Sequence, residues 1–159
     1  MKQVQDRAQT RAVGESLIIQ TAVRLMVPFI QLFGLYVIVH GHYSPGGGFQ
    51  GGVILGASFI LTAVAFDLQT SLKRFTERTN AIMGNAGVLL YTGVGMLCAL
   101  LGGLFLDYSA LVRIIPMDPV EWRSLGIFLV EVGVGLAVMS IMASLYWDLS
   151  SRGELDEGL

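Results

Sequence analysis

Long apolar runs alternate with short polar connections along this chain. Four runs are long enough to cross a bilayer: Leu17 to Val39, Gly51 to Ser71, Ala81 to Leu106, and Leu125 to Trp147, the last with a helical lead-in. At 1.5 Å of rise per residue, about 20 helical residues cross a ~30 Å hydrocarbon layer. The pattern predicts an all-α integral membrane fold of four transmembrane helices, over about 17–39, 51–71, 81–106 and 119–149. A polar segment, 1–16, precedes them and a short tail, 150–159, follows. The run after the first segment is too long for a signal-peptide core, so no cleaved targeting peptide is expected. The start of the fourth helix is well marked. Asp118 is a natural N-cap, Pro119 takes the first helical position, and Glu121 stands where a capping box places its acid. Trp122 and Arg123 are then expected at one interface, with Tyr146, Trp147 and Asp148 at the other.

Composition sharpens this picture. The chain is 53% hydrophobic and 14% charged, against roughly 25% charged residues in soluble domains. A core of this size cannot hide so much apolar surface, so lipid must solvate it. The net charge of −2 points to no nucleic-acid partner. Cys98 lies in an apolar run, with no disulfide partner in the chain and no metal-ligand spacing. No nucleophile–base constellation or cofactor motif is present, so neither enzyme chemistry nor a metal or cofactor is expected.

Basic residues orient the spans. Lys2, Arg7, Arg11, Lys73, Arg74, Arg78 and Arg152 share one side of a four-span chain, and only Arg113 and Arg123 lie on the other. Seven against two places both termini in the cytoplasm, the Gly-rich connection outside, and the chain in the cytoplasmic (inner) membrane as a multi-pass protein. Small residues recur within the helices, including Gly52 and Gly56, and Gly84, Gly87, Gly93, Gly95, Gly102 and Gly103 in the third. They serve either four-helix packing within the chain or packing against other subunits.

The first connection reads GHYSPGGGFQGG, residues 41 to 52, with six glycines and a proline in twelve positions. A phosphate-binding loop would end in GK[ST] and follow a strand, and this one does neither. Glycine permits positive φ, and proline fixes φ and lacks a donor. Three readings stay open: a compact hairpin turn, a backbone-lined pocket or hinge beside a watery path, and a docking surface for a neighbouring chain.

Gly41-His42, then Ser44-Pro45-Gly46-Gly47-Gly48-Phe49, then Gly51-Gly52 resembles the signature of the MnhB/MrpB family. These are small membrane subunits of multisubunit Mrp-type Na+/H+ antiporters, with related domains in membrane-bound hydrogenases and similar respiratory assemblies. The resemblance covers about residues 17 to 149 in length, span count and motif position. It implies a subunit that works with other membrane subunits, with Na+ and H+ as the transported ions. Alternatives are a subunit of a hydrogenase-like or other complex-I-related assembly, and a purely structural spacer.

A few charged or titratable residues stand out. His40 and His42 flank Gly41, and histidine titrates near neutral pH. They are either proton-relay candidates or satisfiers of a helix end. Arg24 falls about 10 Å into the first run, with Pro28 four residues on to kink the helix. Glu131 falls about 9 Å into the fourth run, measured from the other side. Charges at such depths face protein or water and mark candidate ion or proton paths. In a ~30 Å core their backbones differ in height by about 11 Å, so Arg24 and Glu131 are expected to use other partners, on other subunits among them. Asp67, Asp107 and Asp148 are expected as solvated boundary charges.

Overall fold

The computed structural model describes residues 17–41, 46–114 and 118–151, with the backbone alone for Arg74. Among these residues the fold is all-α. Helix α1 is Leu17–Val39, α2 Gly48–Phe66, α3 the short Leu68–Arg74, α4 Glu77–Leu100 and α5 Pro119–Ser151, with a 3-10 helix at Tyr108–Arg113. α1, α2, α4 and α5 are each long and apolar enough to cross a membrane, and the chain is a multi-pass integral membrane protein.

The four spans stand in a row rather than a closed bundle. α1 packs on α2, α2 on α5, and α5 on α4, so that α1 and α4 form the two edges. The row follows from where small residues fall. At the α4–α5 crossing, Gly87 and Gly133 meet backbone to backbone: a Cβ on Gly87 would lie 2.5 Å from the Gly133 carbonyl oxygen, and one on Gly133 2.8 Å from that of Gly87. Lipid gives no hydrophobic drive for association, so such close backbone approach is a main source of packing energy. Ile38, Leu55 and Met139 bring α1, α2 and α5 into one apolar cluster. A second cluster of Cys98, Leu111 and Trp122 seals the 3-10 helix against the ends of α4 and α5. Asn80 ties the opposite end of α4 to α5. Its Nδ2 donates to the Ser140 carbonyl at 3.0 Å and to Ser144 Oγ at 2.8 Å.

Helix ends differ from the sequence expectation at both ends of α2 and both ends of α4. α2 starts at Gly48 rather than residue 51, because the glycines of the motif themselves enter the helix. It ends at Phe66, where Asp67 turns into the left-handed region at φ 87° and starts α3, so the expected 51–71 run is two helices. α4 starts at Glu77, capped by Thr76 Oγ1 accepting from the Thr79 amide, and stops at Leu100 rather than 106. Gly102, at φ 83°, ends it by a Schellman motif: its amide donates to the Ala99 carbonyl, and that of Gly103 to the Cys98 carbonyl. Asp118 caps α5, its Oδ1 accepting from the Val120 amide at 2.8 Å. Trp122 is buried against Cys98 and Leu111, while Arg123 is exposed.

Candidate functional site

α1 ends at Val39, and His40 and Gly41 turn the chain away from it. The His40 amide and ring Nδ1 both meet the Tyr36 carbonyl at 3.0 Å, and the imidazole stacks on the Tyr36 ring at 4.1 Å between centroids. His40 is thus an exposed side chain held at the helix end. His42, Ser44 and Pro45 lie outside the described residues. The chain returns at Gly46, and Gly47 stands at φ 137°, a conformation that side chains rarely adopt.

Three further glycines of the motif are packing surfaces. A Cβ on Gly48 would collide with the backbone of Glu131, 2.9 Å from its Cα. One on Gly52 would lie 2.6 Å from the Gly135 carbonyl oxygen, and one on Gly51 2.7 Å from that of Gly34. The first turn of α2 is therefore wedged between α1 on one side and α5 on the other. Phe49, at 64% exposure, points away from this junction.

The junction closes around one charged group. The Glu131 carboxyl group lies against Gly41, where an added Cβ would fall 2.5 Å from Cδ, and against Gly47, where it would fall 3.1 Å from Oε1. Oε2 is buried. Glu131 thus stands at the N-terminus of α2, where unpaired backbone amides and the helix dipole favour an anion. The residues around Glu131 include the glycine turn of its own chain, and the side chain as a whole is half-buried. α2 begins beside Glu131 and runs 19 residues away from it, about 28 Å, so Glu131 stands level with one end of α2.

Arg24 lies at the other end of the molecule. Its guanidinium sits 5.1 Å above the ring of Phe66, the last residue of α2. Arg24 and Glu131 are thus at opposite ends of α2 and do not pair. α1 runs on as a helix through Pro28. The structure therefore brings Gly41, Gly47, Gly48 and Glu131 together, with His40 one residue away, and leaves Arg24 apart. Sequence reading missed the Glu131–glycine junction. Its available signal was that a buried acid and a glycine cluster both require close backbone, which a single chain can satisfy at one place.

On the same side as the turn, the connection after α4 has its own polar anchor. Asp107 Oδ1 accepts from the Ser109 hydroxyl at 2.5 Å and from the Ser109 amide at 3.2 Å. These bonds, the hydroxyl first, hold the Asp107 carboxyl below the usual carboxylate range, with Arg123 adding to the effect. Burial raises the Tyr108 phenol above its ordinary value. Arg113 Nη1 donates to the Leu101 carbonyl, closing the loop over the Schellman turn.

The chain is similar to known proteins along most of its length. The family model described as a domain related to the MnhB subunit of Na+/H+ antiporter matches residues 18–144. A Na(+)/H(+) antiporter subunit of Bacillus subtilis (strain 168) is 33% identical over 129 residues, 77% of this chain and 90% of that protein. A protein of Staphylococcus aureus (strain Newman) that carries the name mnhB2 is 27% identical over 135 residues, 84% of this chain and 94% of its own length.

Proposed function

This chain belongs to the MnhB family, and we propose that it is a membrane subunit of a multisubunit Na+/H+ antiporter, helping to form an ion path and a subunit interface. The observation that carries this reading is the match to the Bacillus subtilis antiporter protein across nearly the whole of its length. Its chemistry is the movement of hydrated cations and protons alongside other membrane subunits, without covalent catalysis or a cofactor.

Within the chain, Glu131 is the group we assign to ion handling. A carboxyl group within a membrane-spanning helix, walled by glycine backbone, is a candidate ligand for Na+ or a proton. With both termini cytoplasmic, as the seven basic residues on that side favour, Glu131 faces the outer surface. The glycine turn then forms its wall, and His40 and His42, one residue either side of Gly41 in the sequence, are the candidate proton-exchanging groups. Arg24, beside Phe66, serves the inner end of the same row.

Glu131→Gln tests this reading, because it keeps the shape and removes the charge. Complex abundance should stay near that of the wild type while Na+-dependent proton exchange in membrane vesicles drops severalfold. A fall in complex yield instead would make Glu131 a latch for the turn, the spacer reading. Normal yield with normal exchange across a range of pH and Na+ would remove the ion-handling role. Purification of the intact complex separates the antiporter from a hydrogenase-like assembly, since only the latter brings redox subunits.

A further inference from the structure

α4 forms one edge of the row and packs chiefly against α5. Between these two helices runs an open groove of 310 Å³. Its floor is shallow because of Gly84, where a Cβ would come 2.9 Å from Ser140 Cβ. Its rim is apolar: Val88 on α4 and Ile141 and Leu145 on α5 are each about half exposed. Asn85 also lines the groove. It is exposed and has no hydrogen-bond partner among the described residues.

Asn85 does not belong against lipid. It lies seven residues beyond Arg78, about 10 Å further along the helix, in a stretch of α4 without charge. An amide there carries two donors and an acceptor. Acyl chains satisfy none of them, and each unsatisfied group in hydrocarbon is costly. Its side chain is too short to reach the interface as a lysine or arginine does. The amide therefore needs a polar partner at its own depth.

We propose that this groove is the seat of a transmembrane helix from another subunit, which sets a polar side chain such as Asn, Gln, Ser or Thr against Asn85. Only a convex rod fills a groove. A second copy related by a two-fold axis would present the same concavity, and two facing concavities leave a void; a copy docked by another face would leave its own groove open and propagate the contact. A single helix fits between Val88 and Ile141, and interhelical polar contacts of this kind hold membrane helices together. The proposal rests on the subunit role given above and adds the face and the chemistry of contact.

Photo-cross-linking in the intact complex tests it. p-Benzoylphenylalanine placed singly at Val88, Ile141 and Leu145, with Asn85 unchanged, should join the chain to a transmembrane peptide of a co-purifying subunit at two of the three positions or more. Lipid adducts alone, or adducts to a second copy of this chain, would overturn the proposal. Asn85→Leu should lower retention of the chain in the complex on detergent dilution about threefold, the size of a typical interhelical hydrogen bond, and Asn85→Gln should restore it. Full retention of Asn85→Leu would also overturn it. The two readings fail separately. If the wild-type chain co-purifies with antiporter subunits while its groove yields only lipid adducts, the function stands and the groove falls. If it co-purifies with no antiporter subunit, the function falls and the adducts still decide the groove.

Discussion

The carboxyl group of Glu131, in the middle of α5, lies directly against Gly41, the residue that turns the chain off α1. Two segments far apart in sequence therefore share one small volume. Gly41 has no side chain because the acid occupies the place where one would go.

That relationship predicts a specific coupling. Gly41→Ala should destabilise the protein by about 1–3 kcal/mol, the usual cost of an extra methyl group in a packed site. In a Glu131→Ala background the same change should cost far less, since the obstructing carboxyl group is gone. A thermal-shift series on the four variants of this cycle measures the difference. Equal costs in both backgrounds would mean that the two residues are not coupled.

The start of α2 predicts a contrast between neighbours. Gly48→Ala drives a methyl group into the Glu131 backbone, which cannot rotate away, whereas Phe49 is exposed. Gly48→Ala should therefore separate α2 from α5 and make the solubilised protein sensitive to protease. Phe49→Ala should change stability by no more than about 0.5 kcal/mol. Protease resistance of Gly48→Ala equal to that of the wild type would show that the helices yield without cost.

Much of this fold is legible in the sequence. The four spans are visible because a membrane helix must be long and apolar, and its length is set by the bilayer. The N-cap at Asp118 is visible because capping is local. Sites that depend on distant backbone are not legible. Nothing near Asp67 announces a left-handed residue that splits the second run, whereas Gly102 and Gly103 are a local stop signal that the apolar run on to Leu106 obscures. The glycine motif is conspicuous, yet its partner Glu131 is not, because a run of residues gives depth along one helix and says nothing of register between helices.

Register also separates glycines that look alike. Gly87 meets Gly133 backbone to backbone, whereas an added Cβ on Gly93 meets nothing within 4 Å. Gly87→Ala should loosen the α4–α5 crossing and lower the melting temperature. Gly93→Ala should be neutral or stabilising by up to about 1 kcal/mol, because alanine is the better helix former. Circular dichroism on heating of the two purified variants decides it. A loss in Gly93→Ala as large as that in Gly87→Ala would contradict the packing described for α4.

The loop after α4 predicts a response to acid. Ser109 holds the Asp107 carboxyl below its ordinary value by donating two hydrogen bonds to it. A carboxyl group lowered on folding stabilises the fold fully above its unfolded value, near about 3.9, and that contribution is lost as pH falls through the lower folded value. The 3-10 helix that Asp107 caps carries Leu111, which packs with Trp122. Trp122 emission, read in a Trp147→Phe background, should stay constant from neutral pH down through the ordinary carboxylate range. It should shift only at more acid pH, as the cap is protonated and Leu111 withdraws. Asp107→Asn removes the titrating group, so its emission should lose this acid step. An acid shift of equal size and midpoint in Asp107→Asn would assign the transition to another group and leave the cap without a role in it.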